Sequence, residues 1–317
     1  MPEHQAARTS GGRGTRPLRT VRDLVRWGAS EFGRAGLHFG HGTDNALDEA
    51  FHLVTWSLKL PHDLPAAYLD AALTPAERGQ VLALLRRRVK TRKPAAYLTG
   101  EAWFGGLPFT VDERALIPRS PIAELIDHRF EPWLRASPRR ILDLCAGSGC
   151  IAVACAMAFP EAQVDAVEID AGALELLRSN VRRYELEERV HAIQSDLFAK
   201  LKGKTYGLIV SNPPYVPEAR WRAMPAEYRH EPKLALASGA DGMDVVTRIL
   251  REAPRHLAAD GLLVCEVGGS VPEFNKRFAD IPVTWPEFER GGDGVFVIAR
   301  DDLEAWRGEP KRESDVG

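Results

Sequence analysis

The sequence is poor in cysteine, has no long apolar run and carries almost no net charge. Four cysteines occur, Cys145, Cys150, Cys155 and Cys265, and none forms a C-x-x-C pair. That argues against a disulfide framework or a cysteine-based zinc site. The thiols read as small buried residues of a reduced, cytosolic protein. Nine histidines are scattered, and His38 and His41 lie close together without a partner cluster, so no metal site is expected. No run approaches the ~20 apolar residues of a membrane span. Met1 to Thr20 lacks the apolar core of a secretory peptide, and the expected location is the cytoplasm. With 42 basic and 44 acidic side chains the net charge is −2, which argues against coating nucleic acid by charge alone. There is no G-x-x-x-x-G-K-S/T loop, so a nucleotide-triphosphate site is disfavoured. No internal repeat is present.

What is there suits a soluble protein of two domains, or of one domain with an extension, at 317 residues and 44% apolar. Residues 1–20 read as a disordered tail, with Arg8, Arg13, Arg16 and Arg19 either solvated or touching RNA. Residues 21–94 read as a helical substrate-recognition domain. Leu47, Phe51, Val54 and Leu58 recur at helical spacing after Thr43-Asp44, which can cap. Thr74-Pro75-Ala76-Glu77 is a capping box opening a helix with Val81, Leu85 and Val89 on one stripe, ending before Pro94. The basic end of that helix, Arg86 to Lys93, complements the helix dipole; contact with ribosomal RNA is the alternative.

Residues 95–118 read as a connector hairpin turning at Gly105-Gly106. Ser120 with Pro121 then opens a helix expected to reach about Leu134. From Arg139 strands and helices alternate: strands near 140–144, 164–168, 189–193, 206–210 and 261–267, helices from Cys150, over Ala171–Val181 and up to about Leu257. Thr284–Glu289 and Gly294–Ala299 read as a closing hairpin across Gly291-Gly292-Asp293. The pattern predicts an α/β fold, a doubly wound mixed sheet over 119–302, with a polar tail over 303–317. Val216–Ala237 is too long for a structureless loop in a compact domain and reads as a lid or a peptide-gripping element.

The chemistry gathers at strand ends. Asp143-Leu144-Cys145-Ala146-Gly147-Ser148-Gly149 joins a strand to a helix, and its glycines let a ligand approach the backbone. Ala152 stands where a third glycine of G-x-G-x-x-G would be, which still permits close packing. Glu168 closes the next strand and suits two ribose hydroxyls. Asp196-Leu197 follows the third strand, where it could cover an adenine. The strand 206–210 runs into Ser211-Asn212-Pro213-Pro214-Tyr215, where the prolines fix a stiff, non-helical corner. The Asn212 side-chain oxygen and the Pro213 carbonyl are two acceptors at fixed spacing, suited to both N–H bonds of a planar NH₂ group. Tyr215 offers an aromatic face beside them.

Together, Asp143-x-Cys-x-Gly-x-Gly149, Glu168, Asp196 and Asn212-Pro-Pro-Tyr215 resemble the class I (Rossmann-like) S-adenosylmethionine-dependent methyltransferases with an amino-group target. With Leu116-Ile-Pro-Arg119 and the helical N-terminal domain, the chain resembles the protein-glutamine N5-methyltransferases, the HemK-like family, over roughly Thr43 to Arg300. Glu227-Tyr-Arg-His-Glu-Pro232, Leu236 to Asp244 and Glu287 to Phe296 are similar to the branch acting on the third large-subunit ribosomal protein. Cys145 in place of the first glycine suits that branch too. The resemblance implies a methyl donor held by Asp143, Cys145, Ala146, Gly147, Ser148, Gly149, Glu168, Asp196, Leu197 and Asn212. It implies chemistry at Asn212, Pro213, Pro214 and Tyr215, and substrate contacts at Arg119, Phe104, His230 and Glu231. His230 is expected as a peptide or structural contact, not as a base. Release factors, or a nucleic-acid base, are the alternative targets.

Overall fold

Thr20 accepts a hydrogen bond from the Asp23 N–H while Asp23 accepts one from the Thr20 N–H, and this capping box starts α1 (Val21–Arg34). The computed structural model describes residues 18–306, so the tail expected over 1–16 and its Arg8, Arg13 and Arg16 lie outside the described residues. The chain divides into two compact units, one built from residues up to 37 with 45–91, the other from 38–44 with 92 onward.

In the first unit α2 (Ala46–Ser57) is capped by Asn45, not by Thr43-Asp44, because the Asn45 side chain reaches both the Leu47 and the Asp48 N–H. α3 (Pro75–Thr91) opens on the expected box, with Thr74 N–H donating to Glu77 and Glu77 N–H to Thr74 Oγ1. Leu24, Phe32, Leu53, Val54, Val81 and Leu85 form the core. Val89 was expected to continue the stripe but is half-buried. The position before it, Arg88, is fully buried and paired with Glu49 at 2.7 Å. Thr74→Ala should cost this unit about 1 kcal/mol, read as a lower denaturation midpoint with an unchanged slope.

The second unit begins its continuous part with α4 (Ala95–Thr99), where a strand-like approach to the hairpin was expected. Gly100, at φ 75°, ends it. β1 (Glu101–Phe104) and β2 (Leu107–Thr110) form the predicted hairpin, with Gly105 and Gly106 both at positive φ. α5 (Ile122–Asp127) stops well before Leu134, because Arg129 and Phe130 take φ of 50° and 58° and send the Phe130 ring into the core against Phe159.

Then β3 (Arg140–Leu144), α6 (Cys150–Ala158), β4 (Gln163–Glu168), α7 (Ala171–Arg183), β5 (Val190–Gln194), β6 (Tyr206–Ser211), α8 (Glu218–Ala223), α9 (Asp244–Glu252), β7 (Leu257–Glu266), α10 (Val271–Arg277), β8 (Val295–Ala299) and α11 (Arg300–Ala305) follow. The six strands lie in the order β5-β4-β3-β6-β7-β8, parallel except for β8. Successive connections therefore leave β3 toward opposite edges, and the crevice at the carboxyl ends of β3 and β6 is the topological switch point.

Two expectations are corrected, for residues 284–289 and for the tail, and the segment 216–237 carries internal structure, as its length implied. Residues 284–289 form no strand: Thr284 only bridges to Val297, Pro286 has no N–H to give, and the Glu289 and Arg290 N–H groups donate to Glu124. The tail expected after Arg300 begins with α11, whose Leu303 is buried. Residues 216–237 are tied at their ends by a Val216–Ala237 bridge and contain α8 with short 3₁₀ turns.

Candidate active site

Register fixes the site. Leu144 pairs with Val167 on one side and Ser211 on the other, so the segments leaving β3, β4 and β6 emerge side by side. The Ser211 hydroxyl donates to the Leu144 carbonyl at 2.9 Å and locks the two strand ends together. Above them lies a cavity of about 490 Å³, within the range of small-molecule sites. Its wall brings together Cys145, Ala146, Gly147, Ser148, Glu168, Asp196, Leu197, Asn212, Pro214 and Arg119 from the residues singled out in the sequence.

The loop after β3 is held by Glu168. One carboxylate oxygen accepts from the Gly147 N–H at 2.8 Å, the other from the N–H groups of Ile169 and Asp170. Gly149 is at φ 81°, and a Cβ there would lie 2.8 Å from Leu177 Cγ, so glycine is required by packing as well as by conformation. Cys145 (φ 59°) and Leu197 (φ 45°) are left-handed without being glycine. Such outliers cluster where a ligand site over-determines the backbone, and both lie on this wall. Asp143 stands beneath it: the side chain is fully buried, one oxygen accepting from the Ala152 N–H at 2.9 Å. Burial pushes its carboxyl well above the usual range. Asp143 therefore shapes the loop and does not face the cavity.

On the substrate side the outcome is divided. Among the described residues the Asn212 amide has no hydrogen-bond partner, which leaves its oxygen available. Arg119 lies on the wall, gripped from behind by Glu231 through two bonds of 2.6 and 2.9 Å. Glu231 itself is buried. It accepts a third bond from the Ile117 N–H at 3.1 Å and sits 3.4 Å from His41 Nε2. Burial alone would raise its pKa, but the charge of Arg119 and the contact with His41 overcome this and hold it down to about 2. Glu231 is thus fully engaged within the protein. Phe104 is buried in the core near Phe109, and His230 pairs with Glu113 at 3.2 Å, so neither lines the cavity. Pro213 and Tyr215 are also absent from the wall.

Among the wall residues that the sequence did not single out are Arg248 and Ile169. Arg248 of α9 pairs with Asp196 at 2.9 Å, and Ile169 presents an exposed side chain. Arg248 carries no motif and meets Asp196 only through the fold. Ile169 adjoins Glu168 and was within reach of a reading that followed the strand one residue further.

The charge on the wall decides what fits. Four acids, Glu113, Glu168, Asp170 and Asp196, share the wall with three arginines, Arg114, Arg119 and Arg248, each of which is paired with a carboxylate, Asp112, Glu231 and Asp196 respectively. Glu168 at the loop where a pyrophosphate would sit repels phosphate, whereas acids with apolar neighbours such as Ile169, Leu197 and Val245 suit a cationic nucleoside carrying a flat base. The residues present therefore fit S-adenosylmethionine. Among the described residues no cluster of His, Cys, Asp and Glu could hold a metal, and no helix is long and apolar enough to cross a membrane.

Residues 128–226 match the methyltransferase small domain family. A methyltransferase from Pyrococcus furiosus superposes on 62% of this chain and 89% of its own, at 19% identity and a TM-score of 0.45. The ribosomal protein uL3 glutamine methyltransferase of Xanthomonas campestris pv. campestris is 53% identical over 282 residues, 89% of this chain and 91% of the relative. That of Bordetella pertussis is 49% identical over 288 residues, 90% of this chain and 97% of the relative. At that identity, along almost the whole of both chains, this protein belongs to the family of the ribosomal protein uL3 glutamine methyltransferases.

Proposed function

We propose that this chain transfers a methyl group from S-adenosylmethionine to the side-chain amide nitrogen (N5) of a glutamine in uL3, the third protein of the large ribosomal subunit, in the cytoplasm. The observation carrying the chemistry is that Asn212 and Pro214, at the end of β6, share one cavity with the acid-held loop of β3. The relatives, named for uL3, favour that substrate over release factors and over a nucleic-acid base.

The chemical difficulty is that an amide nitrogen shares its lone pair with the carbonyl and is a weak nucleophile. When bound, S-adenosylmethionine supplies an electrophilic methyl on a sulfonium sulfur. Cys145 to Ser148, Glu168, Asp196 and Leu197 would bind and orient it, with Arg248 of the same wall paired to Asp196. The Asn212 oxygen, on the wall, accepts one N–H bond of the glutamine amide, and the Pro213 carbonyl, between the wall residues Asn212 and Pro214, is the acceptor we assign to the other. That turns its lone pair toward the donor and supports positive charge as it grows on nitrogen. No base is needed beforehand, since the alkylated amide sheds its proton readily to water. Stiffness at Pro213-Pro214 keeps both acceptors in place through the reaction.

The test is intact-mass analysis of uL3 from cells with and without this gene. A one-methyl difference on uL3, mapped to a glutamine, is expected. An unchanged uL3 with a methyl lost from release factors instead would move the substrate to the other branch of the family.

A further inference from the structure

The geometry points to Glu266 as a positioning residue that ties the Asn212–Tyr215 corner to the Arg119–Ser120 corner, with Tyr215 serving as an anchor and not as a platform for the substrate. This rests on the proposed glutamine chemistry and assigns a task to two residues that the mechanism leaves unused.

Glu266 is the last residue of β7 and is buried. Its carboxylate accepts one hydrogen bond from the Tyr215 hydroxyl at 2.8 Å and one from the Ser120 hydroxyl at 2.5 Å. Ser120 adjoins the cavity-lining Arg119, and its oxygen also accepts from the Ile122 N–H at the start of α5. One carboxylate therefore spans 146 residues of chain to Ser120 and 51 to Tyr215. Burial pushes its pKa up, against the pull of the two hydroxyls and Arg119.

Tyr215 is held elsewhere too. Its carbonyl accepts from the Ser270 hydroxyl at 2.8 Å. Gly268 lies so close beneath the ring that a Cβ there would be 2.7 Å from Tyr215 Cζ, and a Cβ on Gly242 would be 2.2 Å from the Tyr215 carbonyl oxygen. Both glycines are at positive φ. Ring, hydroxyl and carbonyl are thus each in contact with protein. The side chain is partly buried and does not line the cavity, and a residue held at ring, hydroxyl and carbonyl can fix the two prolines and Asn212 that precede it.

Tyr215→Phe and Glu266→Gln test this, because each removes a hydrogen bond and little volume. The expected result is a kcat about tenfold lower in each, the equivalent of one lost hydrogen bond. KM for uL3 and affinity for S-adenosylhomocysteine should stay near wild type. The double variant should be no worse than either single one, since both cut the same link. Amide exchange in peptides spanning 210–220 should quicken in Glu266→Gln. A platform role predicts the reverse, with Tyr215→Phe fully active because the ring is kept. Full activity in both variants, additive losses, or unchanged exchange would overturn the anchoring claim. A wild type that methylates nothing would instead overturn the functional reading, and the exchange data would still decide the anchoring claim.

Discussion

Asn212→Ala should lower kcat by about 10²- to 10³-fold, the scale seen when one preorganised hydrogen-bond partner of a developing charge is deleted. The loss should fall on kcat more than on KM, because the acceptor matters most when the nitrogen is turning cationic. Two further results would separate this from misfolding. Affinity for S-adenosylhomocysteine, measured by calorimetry, should fall only modestly, since Glu168, Asp196 and the β3 loop remain. Asn212→Asp should recover part of the activity, since an acceptor stays in place. If Asn212→Ala kept wild-type kcat, the two-acceptor account of the chemistry would be wrong.

Glu231→Ala should cost about 3 kcal/mol of stability, the low end for breaking a buried pair, because the Arg119 left behind keeps 25% of its side chain exposed on the cavity wall. Here the stranded group would be Arg119, with the Ile117 N–H losing its acceptor as well. The same carboxylate sets an acid limit. Its pKa falls from an ordinary 4.5 to about 2 in the fold, and its side chain is wholly buried. A depressed folded pKa gives stability that is present above about pH 4.5 and lost as pH falls toward 2. The full contribution is about 3 kcal/mol, of which about 2 is gone by pH 3. Urea denaturation of wild type at pH 6 and pH 3 should show that loss, and Glu231→Gln should lack this component. An equal pH dependence in the two proteins would sink the assignment.

The parts legible in the sequence were those with local signatures. Strands ending in Asp143, Glu168 and Asn212-Pro-Pro announced themselves by an apolar run meeting glycine or proline, and the cofactor side of the cavity followed from their order. Glu231 was visible as part of a motif, but its task was not, since its partner Arg119 lies 112 residues away. Glu266 sits in an apolar strand with nothing nearby to mark it. The terminal hairpin failed for a related reason. Residues 284–289 have acceptable strand propensity, yet the N–H groups at their end, of Glu289 and Arg290, are claimed by Glu124, and β8 finds a better partner in β7. Local pattern cannot see such a competitor.

The placement of residues 38–44 bears on how the protein can be divided. These residues precede α2 in the chain but belong with the methyl-transferring half, where the His38 N–H donates to Glu227 and the His41 ring lies against Tyr228 and close to Glu231. A single scissor cut near residue 92 would strip that half of its own fittings. The helical part is therefore no detachable accessory: whatever swaps or fuses these modules must make two cuts, or carry the loop across.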